Sequence, residues 1–223
     1  MTPSWRAGSR TRRWGLLTAA AALAVTAAVL LATAWLRQQP SPPQAPQAAA
    51  THRHDADSAP EAKGKHPKAA ALPPSSPERI RIPSLGVSSS LETLGLDQNQ
   101  AMETPRDPQR AGWYEPGTAP GSQGPAVIAG HVTWNGTPAV FHRLGEMKPG
   151  SRIEVTRQDG RTALFTVERT ARYPKKDFPT IEVYRDTDRP ALRLITCGGK
   201  YSSKDRYYSD NVVIFASLTS THR

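Results

Sequence analysis

From Arg79 onward apolar residues recur at a period close to two, in runs of four to eight bounded by Gly, Pro, Asn and Asp. That is the signature of half-buried strands rather than helices. Arg79-Ile80-Arg81-Ile82 alternates and stops at Pro83, and Ala126 to Ala129 is a short continuous apolar run ending at Gly130-His131. Ile153 to Thr156 and Thr162 to Arg172 flank Gln158-Asp159-Gly160, a hairpin signal because glycine accepts the positive φ such turns require. Ala191 to Thr196 and Asn211 to Ser217 are the last two strands. One short helix is expected at Ala139-Val140-Phe141-His142-Arg143-Leu144-Gly145, with Gly145 as its C-cap. Seven or eight short strands with irregular loops predict an all-β barrel or sandwich, between which the pattern does not choose.

Upstream the pattern changes. Gly15 to Leu36 is an uninterrupted uncharged stretch, about 33 Å long as a helix and so enough to cross a bilayer. Arg6, Arg10, Arg12 and Arg13 precede it without an acid, Trp14 and Trp35 sit at its ends, and only Arg37 directly follows. This charge bias leaves the arm cytoplasmic and sends the rest outside. A cleaved signal peptide is the competing reading, since Ala32-Thr33-Ala34 has the small-x-small form of a cleavage site, although the apolar run exceeds the about 7–15 residues of a signal core. Residues 37–78 carry nine prolines and ten alanines with no hydrophobic period, the composition of a disordered, semi-stiff linker. The expected organisation is a basic arm (1–14), a transmembrane anchor (15–36), a linker (37–78) and a folded domain (79–223).

Charge and cysteine content narrow the chemistry. The 223 residues hold 29 Lys+Arg against 19 Asp+Glu, a net charge of +10, but four of the arginines belong to the arm and no basic stripe interleaved with aromatics follows. Nucleic acid is therefore not an expected partner. Basicity outside a membrane suits an acidic wall or anionic headgroups. A single cysteine excludes a disulfide scaffold and a thiolate zinc cluster, and six scattered histidines without paired ligand spacing argue against a structural metal.

That cysteine, Cys197, ends an apolar strand and is followed by Gly198-Gly199, which permit close backbone approach by a ligand. It is either an inert core thiol or a nucleophile on a strand rim. A nucleophilic thiol needs a neighbour that stabilises the thiolate or moves the proton. His131 occupies the matching place after the Ala126–Gly130 run, while His142 lies in the expected helix and His222 in the tail. Arg206, nine residues after Cys197, is the candidate donor to a developing oxyanion. Thr196, next to the nucleophile, either turns its hydroxyl to the groove or packs as a strand residue. Trp113, Tyr114 and Phe178, in aromatic segments outside the main strands, are candidate groove-lining residues.

At this point the residues resemble a known family. Leu194-Ile195-Thr196-Cys197 resembles the sortase signature Thr-Leu-x-Thr-Cys, and Ala129-Gly130-His131 its histidine segment, with the histidine 66 residues before the cysteine. Gly124 to His131, Phe141 to Gly145, Leu192 to Gly199 and Asp210 to Val213 are similar to class F sortases of actinobacteria, so the resemblance covers 79–218. It implies a closed eight-stranded β-barrel housing a Cys/His/Arg transpeptidase that needs no metal or other cofactor. Cys197 would cut an LPxTG-like sorting signal of a secreted protein between Thr and Gly, keeping the substrate as a thioacyl intermediate. His131 would protonate the leaving amine and deprotonate the acceptor, an amino group of a peptidoglycan precursor. Arg206 would hold the oxyanion or the substrate backbone. Two positions depart from the pattern: Arg193 stands for the first Thr of the signature, and Ser209 for the arginine of relatives with Tyr-Arg-Asp-Asn. Two other functions compete, a hydrolytic cousin in which water resolves the thioester and a non-catalytic wall-binding module on a tether.

Overall fold

A computed structural model describes residues 42–47 and 69–223. The arm, the apolar span and most of the linker lie outside the described residues; among those described, no helix is long and apolar enough to cross a membrane.

The alternation becomes ten strands. They are β1 (Pro77–Ile82), β2 (Val87–Leu94), β3 (Ala111–Tyr114), β4 (Gly124–Ala129), β5 (Thr133–Trp134), β6 (Thr137–Pro138), β7 (Arg152–Arg157), β8 (Thr162–Pro174), β9 (Pro190–Ser202) and β10 (Tyr207–His222). Eight of them close a barrel in the order β1-β2-β3-β4-β9-β10-β8-β7, and β5 and β6 form a separate two-stranded ribbon. Most neighbours are antiparallel; β2 with β3 and β4 with β9 are parallel. Closure leaves no sheet edge open around the ring. The barrel thus resolves the choice that pattern left open.

Because side chains alternate across a strand, the sheet has two apolar faces. Ile80, Ile82, Ala126, Ile128, Ile153, Val155, Phe165, Leu192, Leu194, Val212 and Ile214 fill the interior. Val127, Ala171, Tyr173, Ile195, Val213 and Phe215 form a second cluster on the outer face. It is covered by the connection from β8 to β9, which contains a 3-10 turn (Lys175–Asp177) and a short helix, α1 (Thr180–Tyr184), whose Val183 is fully buried. All six residues of β4 are buried, as expected of a parallel strand covered on both faces.

Three expectations change. The helix at 139–145 is instead a run of turns ending in a 3-10 helix, Leu144–Glu146, with i to i+3 bonds from His142 N to Ala139 O and from Leu144 N to Phe141 O. Gly145 is not a C-cap. A Cβ there would stand 2.6 Å from Pro43 O and 2.9 Å from Ala45 N, so its lack of a side chain admits the passing backbone of 42–47. The segment read as disordered linker is in contact with the barrel in both described stretches. Leu72 N donates to Gly121 O and Gln158 N to Ser76 O, while Ala45 is buried in the interior cluster. Individual residues dock where average composition gives no sign of it.

The 42–47 stretch lies along β8 beyond the end of β7, where Arg172 N donates to Pro46 O at 2.9 Å and Gln47 forms a parallel bridge to Arg172. Gln44 Oε1 accepts from Gly199 N at 2.9 Å and from Arg172 Nη1 at 2.8 Å. Gly145→Ala should therefore release this stretch without unfolding the barrel. The expected result is at least about tenfold faster amide hydrogen exchange at Gly199 and Arg172 with protection of β4 unchanged, whereas unaltered exchange at both would refute the packing role of Gly145.

Candidate active site

Parity and register assemble the site. β4 and β9 run parallel with Ala129 opposite Ile195, and Gly130 N continues the ladder by donating to Ile195 O at 3.1 Å. Two residues beyond Ala129 and Ile195 come His131 and Cys197. Val127 and Ile195 belong to the outer-face cluster, so by alternation both residues emerge on that same face, at the same level of adjacent strands. On the other side of β9, Cys197 is opposite Asn211, which is opposite Tyr173. The thiol is half-buried, so it is not sealed in the core.

His131 Nε2 lies 2.8 Å from Pro105 O, and its ring meets Trp134 edge-on at 4.9 Å between centroids. A carbonyl oxygen only accepts, which assigns the hydrogen to Nε2 and leaves Nδ1 as the basic nitrogen of the neutral ring. The imidazole is thus held by a loop outside the two strands that carry the chemistry.

The other predicted residues separate by face. Tyr114 and Phe178 pack against the outer cluster; Phe178 touches the Tyr173 ring at 6.1 Å and the Tyr184 ring at 6.3 Å. Both flank the floor on the face that bears Cys197. Burial pushes the Tyr173 and Tyr184 hydroxyls above the ordinary tyrosine range. Trp113 points into the barrel instead, in the interior cluster, where its Nε1 donates to Thr118 O at 3.1 Å. Thr196 is also turned inward, buried, with its hydroxyl donating to Gly130 O at 2.8 Å. It ties β9 to the strand end that carries His131 rather than facing a groove.

No hydrogen bond or ion pair joins Arg206 to the thiol among the described residues. Arg206 is exposed in the turn between β9 and β10 with φ of 51°. Ser209, the other position in question, has its hydroxyl on Lys200 N at 3.0 Å and Asp210 Oδ1 at 2.7 Å, a turn-building role. Arg172 is near in register, two strands from Thr196, but it lies on the opposite face and is engaged by Asp210 and Gln44.

Two further cations bear on this face, of which Lys175 was not anticipated. Lys175, just past the end of β8, sets Nζ 3.5 Å from Cys197 Sγ and 4.1 Å from the centre of the Tyr207 ring. Its signal in the sequence was only its place among the residues before the penultimate strand. Arg193, which stands for the first Thr of the signature, is 6% exposed and stacks on Phe215 beneath the β8–β9 connection, at 4.6 Å from the ring centre. Burial pulls its guanidinium down to about 10.

A sortase family model matches residues 80–219. Solved structures with the same fold include sortase A of Listeria monocytogenes, at 20% identity over 66% of this chain and 89% of that one, with a TM-score of 0.50. Sortase A of Corynebacterium diphtheriae is 21% identical over 66% of this chain and 61% of that one, TM-score 0.50. Sortase C of Streptococcus pneumoniae is 18% identical over 66% and 70%, TM-score 0.50. No curated protein matches the chain in sequence. With the family model covering more than half its length and the same closed eight-stranded barrel, the chain belongs to the sortase family.

Proposed function

We propose that this sortase is a membrane-anchored, extracellular cysteine transpeptidase of the actinobacterial class F type. It cleaves an LPxTG-like sorting signal between Thr and Gly and passes the acyl group to an amine of a cell-wall precursor. Sortases in general are cysteine transpeptidases that act on sorting signals and cell-wall amines. The observation that carries the reading here is the emergence of Cys197 and His131 at one level of adjacent parallel strands, on a face flanked by Tyr114 and Phe178.

In this reading the thiolate of Cys197 attacks the Thr carbonyl carbon, forming the S–C bond as the carbonyl π pair moves onto oxygen. The tetrahedral intermediate collapses, the C–N bond breaks, and the leaving amine takes a proton from the His131 imidazolium. The neutral imidazole then accepts a proton from the incoming amine, which attacks the thioester and releases the thiolate. The same acid and base serve water as acceptor, so residue types do not separate transfer from hydrolysis. The anchor reading of 15–36, with arm 1–14 inside and the barrel outside, supplies the location such a reaction needs.

The test is a sorting-signal peptide incubated with the full chain, with and without an added amine. Transpeptidation predicts a thioacyl adduct on Cys197 and an amide product that replaces free acid when amine is supplied. Free acid that persists whatever the amine concentration would make the protein a hydrolase, and no adduct at all would leave only the wall-binding module.

A further inference from the structure

We propose that Lys175 is a catalytic residue, supplying at the sulfur the positive charge that sequence order assigns to Arg206. The inference rests on Cys197 being the nucleophile. Its ammonium stands 3.5 Å from Cys197 Sγ, within contact of the reacting atom itself. Ala171 and Tyr173 bring β8 along the outer face, and Pro174 ends the ladder opposite Asp210. The chain then turns into the 3-10 segment, and Lys175 reaches back across β10 toward β9 from there.

What holds the ammonium is not a carboxylate. Among the described residues Lys175 is in no ion pair, whereas its exposed neighbour Lys176 pairs with Asp177 at 3.8 Å. The Tyr207 ring lies beside it at 4.1 Å, a contact that positions a cation without neutralising it. A full positive charge therefore remains free for negative charge that appears on sulfur. Lys175 is half-buried, so that charge is less screened than at the tip of the β9–β10 turn, where Arg206 is open to solvent.

In the reaction Lys175 keeps its proton throughout. It stabilises the thiolate before attack and again when the second collapse returns the pair of electrons to sulfur, while His131 alone exchanges protons with the two amines. This divides the roles between two strand ends: β4 carries the acid and base, and the end of β8 carries the fixed charge.

The experiment uses the full chain and three substitutions: Lys175→Met, Lys175→Arg and Arg206→Met. Iodoacetamide reports the reactivity of Cys197, the only thiol, and the ultraviolet absorbance of the thiolate reports its charge state. Lys175→Met should slow alkylation at neutral pH about tenfold, with a matching loss of thiolate absorbance. It should slow thioacyl formation by about 10²-fold. Lys175→Arg should recover most of both, and Arg206→Met should behave as wild type. Tyr207→Leu, which removes the ring beside the ammonium, should lie between. Wild-type alkylation in Lys175→Met, or failure of arginine to rescue, would overturn the proposal, as would a loss in Arg206→Met comparable to that in Lys175→Met. Alkylation that depends on Lys175 in a protein forming no thioester with sorting-signal peptide would refute the transpeptidase reading and leave the Lys175–Cys197 pairing standing.

Discussion

Cys197→Ala is expected to abolish thioacyl formation entirely while leaving the barrel as stable as the parent to within about 1 kcal/mol. The thiol is half-buried within β9, outside both apolar clusters, so deleting sulfur opens no closed cavity, and the Lys175 ammonium that loses its contact is itself only half-buried and open to water. The chemical cost is total because the covalent intermediate is built on that atom. His131→Ala should lower turnover by about 10²–10⁴-fold, the usual range for loss of a general acid and base. Combining the two should cost no more than Cys197→Ala alone, since both groups act on one sequence of bonds. Mass spectrometry of the acyl adduct and a single denaturation midpoint decide the matter. Residual thioacyl formation in Cys197→Ala would mean the acyl group rests elsewhere, and wild-type turnover in His131→Ala would remove the imidazole from the mechanism.

The parts of the fold that were legible are those where alternation is strict. Ile80 and Ile82, Ala126 to Ala129, and the Gln158-Asp159-Gly160 hairpin emerge as read, because a period of two leaves a strand only one way to bury its apolar face. β2 and β3 were missed: Val87-Ser88-Ser89-Ser90 and Ala111-Gly112 carry too little apolar side chain to show a period, and barrel closure rather than propensity makes them strands. The five-residue α1 is likewise too short to show a helical period and owes its shape to Val183 packing on the outer cluster.

The same parity explains which site residues were legible. Cys197 and His131 were found because each sits just past an apolar run. Trp113 was misread and Thr196 left open between groove and strand packing, because residue type suggests a groove while alternation turns each inward, a face that only the register of β9 and β3 decides. Lys175 and Arg206 exchange places for a related reason. Sequence separation from Cys197 favours Arg206, which is exposed in the turn and makes no contact with the thiol among the described residues, whereas Lys175, just past the end of β8, is folded back over it.

Arg157 is a charge that the same parity turns inward, and it carries the largest stability effect we expect. At the end of β7 its side chain is fully buried, continuing the interior row of Ile153 and Val155. Nη1 donates to Pro120 O at 2.6 Å, Nη2 to Pro73 O at 2.5 Å, and the guanidinium pairs with Asp159 Oδ2 at 3.0 Å. It thereby joins the entry to β1, the loop before β4 and the β7–β8 hairpin at one end of the barrel. Arg157→Met keeps most of the volume but leaves two carbonyls without their donor, at about 1–3 kcal/mol each, so a loss of about 2–6 kcal/mol is expected in urea unfolding. Arg157→Lys should recover only part of this, because an ammonium does not reproduce the fixed fork. Acid supplies an independent check. Hydrogen bonding from Arg157 holds the Asp159 carboxyl below the ordinary range, against the opposing effect of its own desolvation and with help from the Arg161 amide. A carboxyl lowered on folding contributes stability above its unfolded value, 3.8, that disappears as pH falls through the lowered folded one. Wild type should therefore lose stability on acidification through that window, and Arg157→Met should lose less of it. Equal urea midpoints for wild type and Arg157→Met at neutral pH would show that the end of the barrel is held by packing alone.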